Sequence, residues 1–268
     1  MWTAAQFLTI FHLANMTIDT TQQFELLPNA PIVEAVVQVL ARPSIQWDEK
    51  GVSASLKPKL SEFESSVSSN TKQQAVTLAP PDPPVVSVQD SGWHGLICQS
   101  KDRRAQFSRD GFFFSQLQPY QSWAHFFENA VRLWRVYLET ARPLDMQRVG
   151  LRFINKIQLP IGETAWRKYV QSYPVPPREL ELPITGFFHQ ETLSVPGHAY
   201  AMNIIRTVLP TPNPQTEGLG LIIDIDAYTT QLLEIEPGVL EKRLAELRWL
   251  KNMAFFGSVT PAALELFK

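Results

Sequence analysis

Hydrophobic residues recur along this chain with two periods, and the switches between them mark out its elements. Over residues 33–41 the period is two. Val33, Ala35, Val37, Val39 and Ala41 share one face, while Glu34, Gln38 and Arg42 share the other with Val36. Such alternation describes a strand with one buried side, set between Pro28 and Pro31 before it and Pro43 after it. The period then lengthens. Val52, Leu56, Leu60, Phe63 and Val67 are three or four apart, a helical stripe. Pro58 within it either opens the helix near Lys57 or kinks it.

Residues 65–74 are polar, and the proline-rich 79–84 reads as a stiff extended connector. Residues 93–100 and 103–116 read as two antiparallel strands turning at Lys101-Asp102, with Asp110-Gly111 as a second hairpin turn or a bulge. Trp123, Phe126, Phe127, Ala130, Trp134, Tyr137 and Leu138 predict a strongly amphipathic helix that ends before Pro143. A strand over 148–159 follows. Its odd positions are apolar except Asn155, and its even positions carry Arg148, Arg152 and Lys156. The order strand, helix, strand, strand, helix, strand predicts an α+β fold with a ferredoxin-like βαββαβ N-terminal unit over 24–160.

The second half, 161–268, predicts a further β-rich segment and a long C-terminal helix. A short helix falls near 163–173 and a proline-punctuated linker over 174–183. Two long strands, 190–209 and 219–231, flank Pro210, Pro212 and Pro214. Leu240, Leu244, Leu247, Leu250 and Ala254 mark the long helix, with Lys242 and Glu246 as an i,i+4 pair. Thr260-Pro261 opens a last short one. This half either extends the first sheet or forms a second α+β unit. No internal repeat is evident.

Composition changes the picture little. The chain has 268 residues, 44% hydrophobic and 19% charged, with a net charge of −2; these values suit a soluble globular protein and argue against one that grips nucleic acid over its whole surface. The lone Cys98 excludes an internal disulfide and a cysteine-based zinc site. The apolar opening has no Lys or Arg before Arg42, so it lacks the basic region of an export signal and is too short to span a bilayer. Residues 1–23 read as an N-terminal extension, a start-site artefact being one account of it. The expectation is a cytoplasmic protein off the membrane.

Several segments together resemble an uncharacterised family of prokaryotic proteins known for its sporadic distribution among bacteria. They are the blocks Leu27-Pro28-Asn29-Ala30-Pro31-Ile32-Val33-Glu34-Ala35, Tyr120-Gln121-Ser122-Trp123-Ala124-His125-Phe126 and Arg148-Val149-Gly150-Leu151-Arg152-Phe153-Ile154-Asn155-Lys156. Ile223-Asp224-Ile225-Asp226 and Leu250-Lys251-Asn252-Met253-Ala254-Phe255-Phe256 complete them. The resemblance covers almost the whole chain outside 1–23. It implies no activity; sporadic distribution fits a mobile or defence-related gene cassette.

The chemistry-bearing residues admit a bland reading beside each sharp one. In a ferredoxin-like sheet the first and last strands are neighbours, which brings Glu34 opposite Arg148 or Arg152. With Asn155, Lys156, Asp224 and Asp226 these residues form either a structural ion-pair ladder or a polar binding face. Asp224 and Asp226 share one side of their strand but lack further oxygen ligands at a telling spacing, and Lys251 or Arg206 could neutralise them. No metal or cofactor is expected. The histidines are scattered, and neither a Gly-x-Ser-x-Gly elbow nor a phosphate-binding glycine loop occurs.

Residues 101–156 hold ten basic side chains against five acidic, a local +5, which makes a basic patch unless folding interleaves the two signs. Arg103, Arg104, Arg109, Phe112 and Phe114 then suggest an RNA or single-stranded nucleic-acid face, since aromatics on such a strand can stack bases. The leading expectation is a binding or accessory module for a protein partner, not an enzyme. The alternative is a nucleic-acid binder, with a metal-independent ribonuclease as one form of it.

Overall fold

The computed structural model describes residues 15–45, 47–77, 85–161, 165–171, 173, 175, 184, 186–209 and 218–268, with backbone alone for 71–77 and 85–91. The strands are β1 (Ile32–Pro43), β2 (Ser65–Thr77), β3 (Val85–Gln99), β4 (Arg103–Ser108), β5 (Gly111–Leu117), β6 (Pro143–Gln158), β7 (Phe188–Ser194), β8 (Tyr200–Leu209) and β9 (Gly220–Thr229). The helices are α1 (Glu49–Leu56), α2 (Trp123–Ala141), α3 (Val239–Ser258) and α4 (Pro261–Leu264). Among the described residues these nine strands form one antiparallel sheet in the order β2-β3-β4-β5-β1-β6-β9-β8-β7.

The predicted alternation explains why β1 lies at the centre. Ala35, Val37 and Val39 are fully buried on one face, beside Leu151 and Val149 of β6 and Phe114 and Phe112 of β5. α2 and α3 cover that face. Phe126 of α2 stacks on Phe114 and meets Phe153 edge-on, while Trp134 and Tyr137 pack on Phe112. Burying one such ring contributes about 1.5–3 kcal/mol. Ser122 caps α2 by accepting from His125 N, and Thr260 caps α4 by accepting from Ala263 N.

Between β1 and β6 the chain builds four strands where the sequence pattern predicts two. The polar run 65–74 belongs to β2, an edge strand paired along its length with β3. An edge strand buries little, so its sequence needs no apolar alternation. The stretch 103–116 is a hairpin, and its turn falls at Arg109-Asp110, directly before Gly111. β1 and β6 are neighbours as expected. The second half joins the same sheet, because β9 pairs with β6. Where a short helix is expected near 163–173, the described residues include a 3-10 turn at Trp166–Lys168. The proline connector 79–84, the prolines at 210–214 and residues 1–14 lie outside the described residues. Among the described residues no helix is long and apolar enough to cross a membrane.

Candidate functional site

The even positions of β1 and β6 lie on the face that α2 and α3 leave uncovered, and the predicted charges gather there. Arg148 donates to Gln38 Oε1 at 2.6 Å and to Asp226 Oδ2 at 2.7 Å, with its guanidinium 4.4 Å from the centre of the Tyr228 ring. Arg152 holds Asp224 with two bonds, Nε to Oδ1 at 2.8 Å and Nη2 to Oδ2 at 2.5 Å. Hydrogen bonding to Asp224 raises the Arg152 pKa further. Burial raises the Asp226 carboxyl above its ordinary value against the opposing pull of Arg148 and Arg152. Two guanidinium groups thus meet two carboxylates, so the ladder neutralises itself.

Three expectations about this face change. Glu34 stands across from Ile154 and Leu117, not from Arg148 or Arg152, because the register sets Val36 opposite Arg152 and Leu40 opposite Arg148; its carboxylate accepts from the Ser115 hydroxyl. Lys251 and Arg206 do not neutralise the aspartates, since both lie on the helix-covered side: Arg206 is buried beside Glu191 and Ser258. Asn155 also leaves the ladder. It is buried at an odd position, donating to Ile223 O at 3.0 Å, while Lys156 is exposed. Among the described residues no three His, Cys, Asp or Glu side chains gather as a metal site would require.

The residues of the nucleic-acid alternative separate in space. Phe112 and Phe114 are buried beneath α2 and present no ring for a base to stack on. Arg104 and Arg109 are exposed, while Arg103 lies 3.7 Å from Asp102. The local basic surplus is interleaved with acids from elsewhere: Arg132 pairs with Glu62, Arg135 with Glu241, and Arg148 and Arg152 with β9. Cys98 is buried as well, which pushes its thiol up to about 11.

A concavity lies on the helix side, at the end of the sheet where α3 passes the start of α2. It is open to one side and has a volume of about 730 Å³, within the ordinary range for small-molecule sites. Residues 24–32 form one wall. They are anchored by Asn29, whose backbone N donates to Phe267 O at 2.9 Å and whose side chain donates to Lys268 O at 2.8 Å, and by Lys156 N donating to Pro31 O at 2.8 Å. Phe24 stacks on Phe256 of α3 at 5.5 Å. Tyr120 and Trp123 form the opposite wall, and Asn155 reaches the cavity from β6. Four of the five blocks singled out in the sequence therefore converge here.

Two cations of α3 face this space. Arg248 and Lys251, one turn apart, both line it. Arg248 lies 5.1 Å from the centre of the Trp123 ring, and the Lys251 ammonium lies 3.9 Å from the centre of the Phe153 ring. Among the described residues neither has a carboxylate in salt-bridge range; the acid on the lining, Glu25, is exposed. Burial, with repulsion from Arg248 second, brings the Lys251 amine down to about 7. Burial likewise lowers Arg248, and raises the Tyr120 hydroxyl so that it stays protonated. The sequence signal for Lys251 was its place four residues after Leu247 and four before Phe255, which are both buried; the stripe drawn through the leucines passes over it. The signal for Asn155 was its break in an apolar face.

No family model matches this chain, and no curated protein matches it.

Proposed function

We propose that the protein is a binding protein for a small anionic molecule with an apolar body, held in the cavity between residues 24–32, the start of α2 and α3. The observation that carries this is the pair Arg248 and Lys251, two neighbouring cations turned into one aromatic-walled space with, among the described residues, no carboxylate in salt-bridge range. Partly desolvated like charges are costly unless something opposite in sign meets them. A bound carboxylate, sulfonate or phosphate supplies that charge, and Phe24, Trp123 and Phe256 give its apolar part a surface. Titration with the anionic aromatic dye anilinonaphthalene sulfonate tests this: one site per chain, weakened in Arg248→Met, is expected. Equal binding by that variant would remove Arg248 from the site.

A protein partner remains a second reading, supported by the outer sheet edge at β7. Among the described residues that strand pairs with β8 alone, and it exposes Phe188 and Leu193, the kind of edge to which an extended segment can add. We also read the β1–β6 half as a ferredoxin-like unit enlarged by an extra hairpin, on the adjacency of β1 and β6. A cytoplasmic setting belongs to the same proposal, supported by the single buried thiol.

A further inference from the structure

We infer that Lys251 is a nucleophilic amine that captures a carbonyl compound as an imine, the ligand being a 2-oxo acid whose carboxylate is held by Arg248. This rests on the cavity being the ligand site, and it adds a chemical step to it.

Lys251 stands in the core-facing row of α3, between buried Leu247 and Phe255, yet it also lines the cavity. Its nitrogen lies over the Phe153 ring instead of beside an acid. The groups that face it are Arg248 on its own helix, Phe153 and Asn155 on β6, Tyr120 before α2, and Glu25 at the rim. Of these only Glu25 carries negative charge, and it is exposed. A lysine in an apolar pocket beside another cation is the arrangement that frees an amine lone pair near neutrality. The Phe153 ring favours the ammonium form and returns part of the effect, but burial and Arg248 dominate, so the amine titrates at about 7. At that pH about half of Lys251 is neutral, against roughly one part in a few thousand for an ordinary lysine.

A second cation gives the proposal its ligand class. A simple aldehyde would leave Arg248 unmatched, whereas a 2-oxo acid places a carboxylate next to its carbonyl carbon. The fixed fork of a guanidinium suits that carboxylate, and the aromatic walls suit a ring or branched chain beyond it. In the step itself, the Lys251 Nζ lone pair forms a bond to the carbonyl carbon while the C=O π pair moves to oxygen. A proton passes from nitrogen to oxygen to give the carbinolamine. That oxygen then leaves as water, taking the second nitrogen-borne proton, as the C=N bond forms. Amine plus carbonyl gives imine plus water, with no change of oxidation state, and hydrolysis reverses it.

The test uses the full chain with phenylpyruvate and, as its non-carbonyl counterpart, phenyllactate. Protein is incubated with phenylpyruvate and cyanoborohydride at neutral pH, and the adduct is located by peptide mass spectrometry. Calorimetry records reversible binding of phenyllactate in parallel. The expected result is a reduced adduct on Lys251, lost in Lys251→Arg and strongly reduced in Arg248→Met, both checked for folding by circular dichroism. A ligand-free control measures the pH dependence of Lys251 acylation by acetic anhydride; a midpoint near that of surface lysines overturns the inference. Phenyllactate binding without a phenylpyruvate adduct at Lys251 also overturns it, while leaving the binding site standing. Neither binding nor adduct overturns both.

Discussion

Arg152 and Asp224 are joined by two parallel hydrogen bonds across the β6–β9 pair, with the carboxylate almost wholly buried and the guanidinium half exposed. The register places Asp226, not Asp224, directly opposite Arg152. Each arginine of the ladder therefore reaches diagonally and in the same direction along β9, Arg152 to Asp224 and Arg148 past Gly150 to Asp226. This satisfied network sits on the open face, whereas the unsatisfied pair of cations sits across the sheet in the cavity.

The ladder is accordingly expected to behave as structure. Arg152→Ala leaves Asp224 buried without its partner and should lower unfolding free energy by about 1–2 kcal/mol, a figure reduced for the exposure of the guanidinium. Urea denaturation measures it. The same variant should leave binding of an anionic ligand unchanged.

Phe114 separates core from nucleic-acid surface. It is fully buried, stacked on Phe126 at 5.5 Å, so Phe114→Ala should cost about 3–5 kcal/mol. A base-stacking role would instead predict lost affinity for single-stranded nucleic acid at little cost in stability. Chemical denaturation beside a gel-shift assay distinguishes the two.

Lys251 gives the chain a pH signature. Its amine is depressed from 10.5 to about 7 by burial first and Arg248 second. Below that folded value the ammonium is present in both states and the destabilisation is fully felt. Between it and 10.5 the unfolded chain binds a proton that the folded one lacks, so stability rises with pH; above 10.5 no difference remains. Lys251→Met should therefore be more stable than the parent near pH 6 by about 1–3 kcal/mol, with the gap closing toward about pH 10. Parallel melts across that range check the sign.

Arg142 ends α2 in the left-handed region, at φ 46°. A side chain there is strained and glycine is not. Arg142→Gly should raise stability by about 0.5–1 kcal/mol, read as a higher melting temperature.

What was legible in the sequence follows the physics of burial. β1, α2, β6 and α3 each bury one face, so their apolar period had to be written into the chain, and Ala35, Val37, Leu151 and Leu247 stand where it put them. β2 was not legible, because Ser65, Ser66, Ser68 and Ser69 are held by pairing with the β3 backbone and not by packing. The turn at Arg109-Asp110 was ambiguous because Phe107 and Phe112 continue the apolar pattern on either side of it. The ladder's members were named but not their partners, since these depend on the register between strands, which the alternation of any one strand leaves open. The cavity was the least legible part. Its elements come from four distant stretches, and the sequence pattern assigned Asn155 to the polar face and Lys251 to the aspartates, not to a shared cavity.

The central claim is that ligand affinity resides in the Arg248–Lys251 cavity and not on the charged open face. Calorimetric titration of phenyllactate into the parent chain, Arg248→Met and Arg148→Gln tests it most directly. The account predicts one site per chain, weakened about tenfold or more in Arg248→Met, as expected for loss of a charge-assisted contact, and unchanged in Arg148→Gln. Undiminished binding by Arg248→Met, or an equal loss in Arg148→Gln, would contradict it.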